Sequence, residues 1–107
     1  MAITFTLDER YPTLFISGRF DFTCSQEFEL AYRRLENPAQ TEFKAIIVDF
    51  RHTESIDSSG IGLLLRMQHD LHCAPHSIHI INCKNSLYQQ FEVAQFERFF
   101  SFAPPAT

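Results

Sequence analysis

A nearly unbroken apolar run, Ala45-Ile46-Ile47-Val48-Asp49-Phe50, leaves this chain few choices of fold. Residues that are apolar at consecutive rather than alternate positions read as a strand buried on both faces. A short polar link, Arg51 to Ser55, follows it. Then comes Ile56-Asp57-Ser58-Ser59-Gly60-Ile61-Gly62-Leu63-Leu64-Leu65. Asp57 or Ser58 reads as a helix N-cap, because its side-chain oxygen can accept from the free amides of a first turn. The helix itself runs from Gly60 to about Cys73 and is closed by Ala74-Pro75. Two hydroxyls therefore lie in or just before the first turn of a helix, at the end of a central strand. In open α/β sheets, ligands are met at that place.

The flanking segments supply the rest of a sheet. Ile3-Thr4-Phe5-Thr6-Leu7 alternates with period two and predicts a half-buried strand. Turn residues Asp8 to Pro12 lead to a second strand, Leu14 to Ser17, stopped at Gly18. So short a connection makes the pair antiparallel. Arg19 to Thr23 reads as a loop into a helix capped by Thr23 or Ser25, with Glu27 in its first turn. Phe28, Ala31, Tyr32 and Leu35 make the core face of that helix, and Asn37-Pro38 ends it. Ser77 to Cys83 is a further strand. Asn85 or Ser86 caps a short helix, Ser86 with Gln89 as a capping box, and Phe96 to Phe102 holds a final edge strand. The order β-β-α-β-α-β-α-β predicts a single α/β domain over 1–102. Its sheet is mixed, mostly parallel, of four to five strands, and 103–107 form a flexible tail.

Composition narrows the function classes. The chain has 107 residues, 45% of them apolar, which is enough for one core. A net charge of −4 with no Lys/Arg cluster argues against nucleic acid as a partner. No run of roughly 18 apolar residues predicts membrane insertion, and no signal peptide precedes Ile3, so a cytoplasmic location is expected. Cys24, Cys73 and Cys83 are odd in number and widely spaced, and read as reduced thiols.

Several constellations could carry chemistry. Ser58-Ser59 lacks a G-x-S-x-G elbow and a nearby histidine, so spacing alone ranks capping first, a phosphorylation site second and a nucleophile last. A phosphoserine there would meet helix amides and the positive end of the dipole. Asp21, Asp49 and Asp57 could hold a cation or do acid/base work, but a cap or turn role suits Asp57 and Asp21 better. His69, His72, Cys73, His76 and His79 invite a zinc reading that their spacing around Pro75 does not support. No metal and no cofactor is expected. Gly60 and Gly62 each weaken a helix by about 1 kcal/mol against Ala, which suggests that something approaches the backbone closely. Of the 12 phenylalanines most must be core, while the cluster from Phe96 to Phe102 could meet a partner or a second copy.

Val48-Asp49-Phe50 followed by Ile56-Asp57-Ser58-Ser59-Gly60-Ile61-Gly62 resembles the signature of STAS domains, specifically the bacterial anti-sigma-factor antagonists. Gly18-Arg19-Phe20-Asp21 resembles the family's G-x-x-D landmark, and with Phe22 it is similar to proteobacterial members tied to motility and biofilm control. The order of elements fits to about Phe102. The resemblance implies a partner switch rather than an enzyme. Ser59, with Ser58 as backup, would be the phospho-acceptor. An anti-sigma factor with a serine-kinase fold would bind and phosphorylate the antagonist, and a PP2C-type phosphatase would reverse it. Unphosphorylated, the antagonist would sequester the anti-sigma factor; phosphorylated, it would let go. Arg19, Asp21, Asp57, Ser58, Ser59, Gly60 and Gly62 would face the partner, with Arg19 departing from the acidic residue many members carry. A homodimer is left open. The alternatives are a structural STAS subunit of a lipid-transport ABC complex or stress-signalling scaffold, and a small hydrolase using Ser58 or Ser59.

Overall fold

A computed structural model of the protein describes residues 3–6, 12–34, 46–71, 77–93 and 100–102. The elements are β1 (Ile3–Thr6), β2 (Thr13–Ile16), β3 (Gly18–Phe20) and a 3-10 turn (Phe22–Cys24) that runs into α1 (Ser25–Arg33). They continue as β4 (Ile46–Asp49), β5 (Thr53–Ile56), α2 (Ser58–Asp70), β6 (Ile78–Ile81), α3 (Asn85–Val93) and β7 (Ser101–Phe102). The main sheet has the order β1-β2-β4-β6-β7. Only β1–β2 is antiparallel; β2–β4, β4–β6 and β6–β7 are parallel. The apolar run thus lies at the centre, with Ile46, Val48 and Phe50 fully enclosed. The α/β fold with a mixed, mostly parallel five-stranded sheet is the one expected.

Aromatic rings tie the helices to the strands. Tyr32 meets Phe28 at 5.4 Å, Phe28 meets Phe20 at 5.1 Å, Phe20 meets Phe50 at 6.1 Å and Phe50 meets Phe91 at 5.9 Å. These distances suit edge-on and offset packing, so one row of rings spans from α1 to α3. Leu64 and Met67 of α2 are fully buried in the same cluster.

Two segments read as loop and link are strands. β3 and β5 pair in parallel as a small second sheet, with Phe20 opposite Ile56. Gly18 takes a positive φ of 79°, which turns the chain out of β2 and into this new pairing. The buried Thr53 hydroxyl donates to Ile16 O at 2.6 Å and binds the two sheets together. β5 buries Thr53 and Ile56 but exposes Glu54 and Ser55, a pattern without period two. The order of elements is accordingly β-β-β-α-β-β-α-β-α-β.

Helix ends also differ in detail. Neither Thr23 nor Ser25 caps α1. Asp21 instead caps the 3-10 turn, accepting from Thr23 N at 3.0 Å and from the Thr23 hydroxyl. Glu27 lies in the first turn of α1 and accepts from Ile3 N at 2.8 Å, which fastens β1 to the helix. α3 begins at Asn85, so Ser86 is inside the first turn rather than at an N-cap. α2 ends at Asp70 with Leu71 as its C-cap. The stops read at Ala74-Pro75 and Asn37-Pro38, and the tail at 103–107, lie outside the described residues.

Candidate functional site

The site is built where β5 hands over to α2. Asp57 is extended, with φ −124° and ψ −176°, and is the N-cap; Ser58 is the first helical residue. Asp57 Oδ1 accepts from Gly60 N at 3.0 Å and from the Ser59 hydroxyl at 2.6 Å. Its main-chain oxygen accepts the first full helical bond, from Ile61 N at 3.0 Å. The Ser59 hydroxyl, and after it the Gly60 amide, hold the Asp57 carboxyl below its ordinary range. A negative charge therefore stands beside the Ser59 oxygen at neutral pH. Asp57 and Ser58 are exposed and Ser59 is half-buried. Among the described residues neither serine bonds to a histidine or lysine.

The two glycines have opposite surroundings. Gly60 is buried, and a Cβ there would sit 2.2 Å from Phe20 O and 3.1 Å from Ile56 Cγ1. The close approach expected at Gly60 is thus made by this chain's own β3 backbone, and Gly60 seats α2 rather than facing outward. Gly62 is exposed and a Cβ there would meet nothing within 4 Å. Close outside approach is open at Gly62.

Parallel pairing of β3 with β5 brings Arg19 and Asp21 beside this turn. Phe20 lies opposite Ile56, so Asp21 and Asp57 each follow directly on a paired residue. Arg19 is exposed and Asp21 half-buried. The outcome is two neighbouring capped turns, Asp21-Phe22-Thr23 and Asp57-Ser58-Ser59, in which each aspartate accepts from a backbone amide and from the hydroxyl two residues on. The first of these lies in the segment expected to be loop. Its signal is Asp followed at the second position by a hydroxyl residue, repeated in both segments.

Asp49 does other work. It is buried at the end of β4 and accepts from Arg51 N at 2.8 Å and Asn82 Nδ2 at 3.0 Å. This pins the bend after β4 to Asn82, which has a positive φ of 57°. Cys24 and Cys83 are buried free thiols, and burial pushes the Cys83 thiol up to about 11. Cys73, His72 and His76 lie outside the described residues. Among the described residues no three His, Cys, Asp or Glu side chains converge as metal ligands, and no helix is long and apolar enough to cross a membrane. Phe100 is buried and Phe102 half-buried; Phe96 and Phe99 are outside the described residues.

Comparisons with known proteins agree with this architecture. The chain is 32% identical over 105 residues to a STAS-domain containing protein of Pseudomonas aeruginosa (strain UCBPP-PA14), covering 96% of this chain and 100% of that one. An anti-sigma factor antagonist from Mycobacterium paratuberculosis superposes with a TM-score of 0.76 at 13% identity, over 96% of this chain and 85% of the other. The unphosphorylated anti-sigma factor antagonist SpoIIAA gives 0.68 at 18% identity, over 98% and 90%. The Bacillus SpoIIAA in its phosphorylated form gives 0.60 at 17%, over 96% and 92%. At such identities these structures establish a shared fold. The STAS domain family model matches residues 3–105. With that match, and with the β3/β5 pair and the Asp57-capped helix in place, the chain belongs to the STAS-domain family.

Proposed function

We propose that this protein is an anti-sigma-factor antagonist that works by partner switching through Ser59, with Ser58 as the backup acceptor. One observation carries the reading: an accessible serine hydroxyl stands on a firmly capped helix end, hydrogen-bonded to an ionised carboxylate. The neighbouring Ser58 and Gly62 are exposed, which leaves room for another protein's backbone. Two antagonist structures share the fold, and that likeness supports the reading.

In this mechanism the unphosphorylated face, made by Arg19, Asp21, Asp57, Ser58, Ser59 and Gly62, binds a cytoplasmic anti-sigma factor with a serine-kinase fold. Gly60 acts from beneath by seating the helix. A base on the kinase takes the Ser59 hydroxyl proton, now donated to Asp57, as Ser59 Oγ bonds to the γ-phosphorus of ATP, the bond from that phosphorus to the β–γ bridging oxygen breaks and ADP leaves. A PP2C-type phosphatase returns the serine by hydrolysis. The phosphoserine brings about −1.5 to −2 charges next to Asp57 and abolishes the hydroxyl donor, leaving Asp57 the Gly60 amide. The partner must then desolvate both charges or pair them. A penalty of about 3 kcal/mol weakens binding by about two orders of magnitude, enough for a switch. The helix keeps its place, and repulsion does the work. The setting is regulation of motility and biofilm formation. Neither nucleic acid nor a membrane is needed, and nothing in the mechanism requires a homodimer.

The test is a pulldown followed by titration. The kinase-fold protein should be recovered; Ser59→Ala should bind it constitutively, and Ser59→Asp about 100-fold more weakly. Equal affinities for the two variants count against the switch. Recovery of a transporter ATPase subunit instead, with no kinase-fold protein, would make the domain a structural subunit.

A further inference from the structure

We infer that Phe22 is the apolar anchor of the partner interface, a specificity-determining residue beside the phospho-acceptor turn. This rests on the partner-switching reading above and adds the residue that grips the kinase-fold partner.

Single exposed apolar side chains are ordinary. Phe22 is set apart by its degree of exposure, its rigidity and its position. It is 70% exposed, while Phe20, Phe28, Phe50, Phe91 and Phe100 are all at 1% or less. Leu30, 64% exposed on α1, is the other large apolar residue left in solvent among the described residues. The backbone under Phe22 is fixed on both sides. Asp21 accepts from Thr23 N, Cys24 N donates to Asp21 O at 3.0 Å, and the Cys24 thiol donates to Arg19 O at 3.0 Å. A phenyl ring with two rotatable bonds on a fixed turn loses little entropy when it is buried.

Position links it to the switch. Paired strands lie about 4.8 Å apart, and Phe20 is opposite Ile56. The residues two further on, Phe22 and Ser58, therefore emerge from adjacent turns. α2 packs on the 3-10 turn, and Gly60 closes on Phe20 O. An interface centred on Ser59 thus has a large aromatic on a fixed backbone in the adjacent turn. Interface energy concentrates in such buried aromatic anchors surrounded by weaker polar contacts.

The experiment titrates the full chain with the kinase-fold protein recovered in the pulldown, using wild type, Phe22→Ala, Leu30→Ala and Ser59→Asp. Phe22→Ala should lower affinity by at least about tenfold, Leu30→Ala by less than about twofold, and neither should shift the urea midpoint. Independently, amide exchange of residues 20–24 in the wild type should slow on complex formation. Wild-type binding that Ser59→Asp weakens, with Phe22→Ala at full affinity and no added protection at 20–24, overturns the anchor while leaving the switch standing. Equal losses at Phe22 and Leu30 overturn the assignment of Phe22 as the anchor. A wild-type chain that ignores the kinase-fold protein removes the switch, and the anchor with it.

Discussion

Replacing Gly60 and Gly62 by alanine, one at a time, should move stability in opposite directions. The two changes are chemically identical and two residues apart on one helix. At Gly60 the new methyl carbon would lie 2.2 Å from Phe20 O and 3.0 Å from Phe20 C. Both are backbone atoms that no side-chain rotation can clear, so α2 must retreat from β3 by about 1 Å. That retreat loosens Ile61 and Leu64, both buried on the same helix. Overpacking of this kind costs about 3 kcal/mol, and alanine's better helix propensity returns at most about 1 kcal/mol. The net loss of about 2 kcal/mol lowers Tm by about 10 °C for a domain of this size. At Gly62 the added carbon meets nothing within 4 Å, so propensity acts alone and stability rises by about 0.5–1 kcal/mol. Urea unfolding of both variants measures the gap, expected to be about 3 kcal/mol at unchanged slope. A Gly60→Ala protein as stable as wild type would refute the seating of α2 on the Phe20 carbonyl. If Gly62 also lies under the partner, Gly62→Ala should be the variant that folds better and binds worse.

Removing the cap with Asp57→Ala should cost about 1 kcal/mol, and Asp57→Asn, which keeps an acceptor, a few tenths, both read from urea midpoints. Because the folded chain holds the Asp57 carboxyl below its ordinary 3.8, its ionised form stabilises the fold above about that pH. The contribution fades as pH falls through the lower folded value, so the acid limb of stability should flatten in Asp57→Asn. Tyr32 works in the opposite sense: burial first, then its hydrogen bond to Asp70, push its phenol from 10.0 up to about 12. Its stabilisation is complete below pH 10 and is lost towards pH 12, and Tyr32→Phe should delete a phenol that ionises near pH 12 in an ultraviolet titration. With burial pushing its thiol up to about 11, Cys83 should resist alkylation at neutral pH until urea unfolds the chain, as peptide mapping would report.

What could be read from residues alone was what local chemistry decides. Asp57 as cap and the burial of Ile46, Val48 and Phe50 depend on neighbours in sequence, and they were legible, although Ile47 between them is only half-buried. The β3/β5 sheet was not, because its strands are short and each is stabilised by the other from more than thirty residues away. Thr53 is polar, and its burial makes sense only once Ile16 O is seen to accept its hydroxyl proton. The smallness of Gly60 was visible as a demand for close approach, but what approaches is Phe20 O, a tertiary fact. Asp49 carried a carboxylate's full menu of roles until Asn82 and the Arg51 amide claimed its oxygen. Phe22 read as one more loop phenylalanine, since nothing in its neighbours distinguishes a ring turned to solvent from one turned to the core.

Between Ile56 and Leu64 the chain separates two tasks by direction. Ile56, Gly60, Ile61 and Leu64 point inward and hold α2 on β3 and the sheet, while Asp57, Ser58 and Gly62 point outward. Ser59 stands between, half-buried, with its proton given to the cap residue. A charge added at Ser59 is therefore felt first by Asp57 and by whatever lies outside, not by the buried residues that determine stability. In the proposed switch, that division would let a phosphoryl group on Ser59 change affinity without first unfolding the element that bears it. The same proposal asks for a firmly anchored helix start. If α2 could slide or fray when Asp57 loses the Ser59 proton, part of the electrostatic penalty would relax into the helix instead of being imposed on the partner.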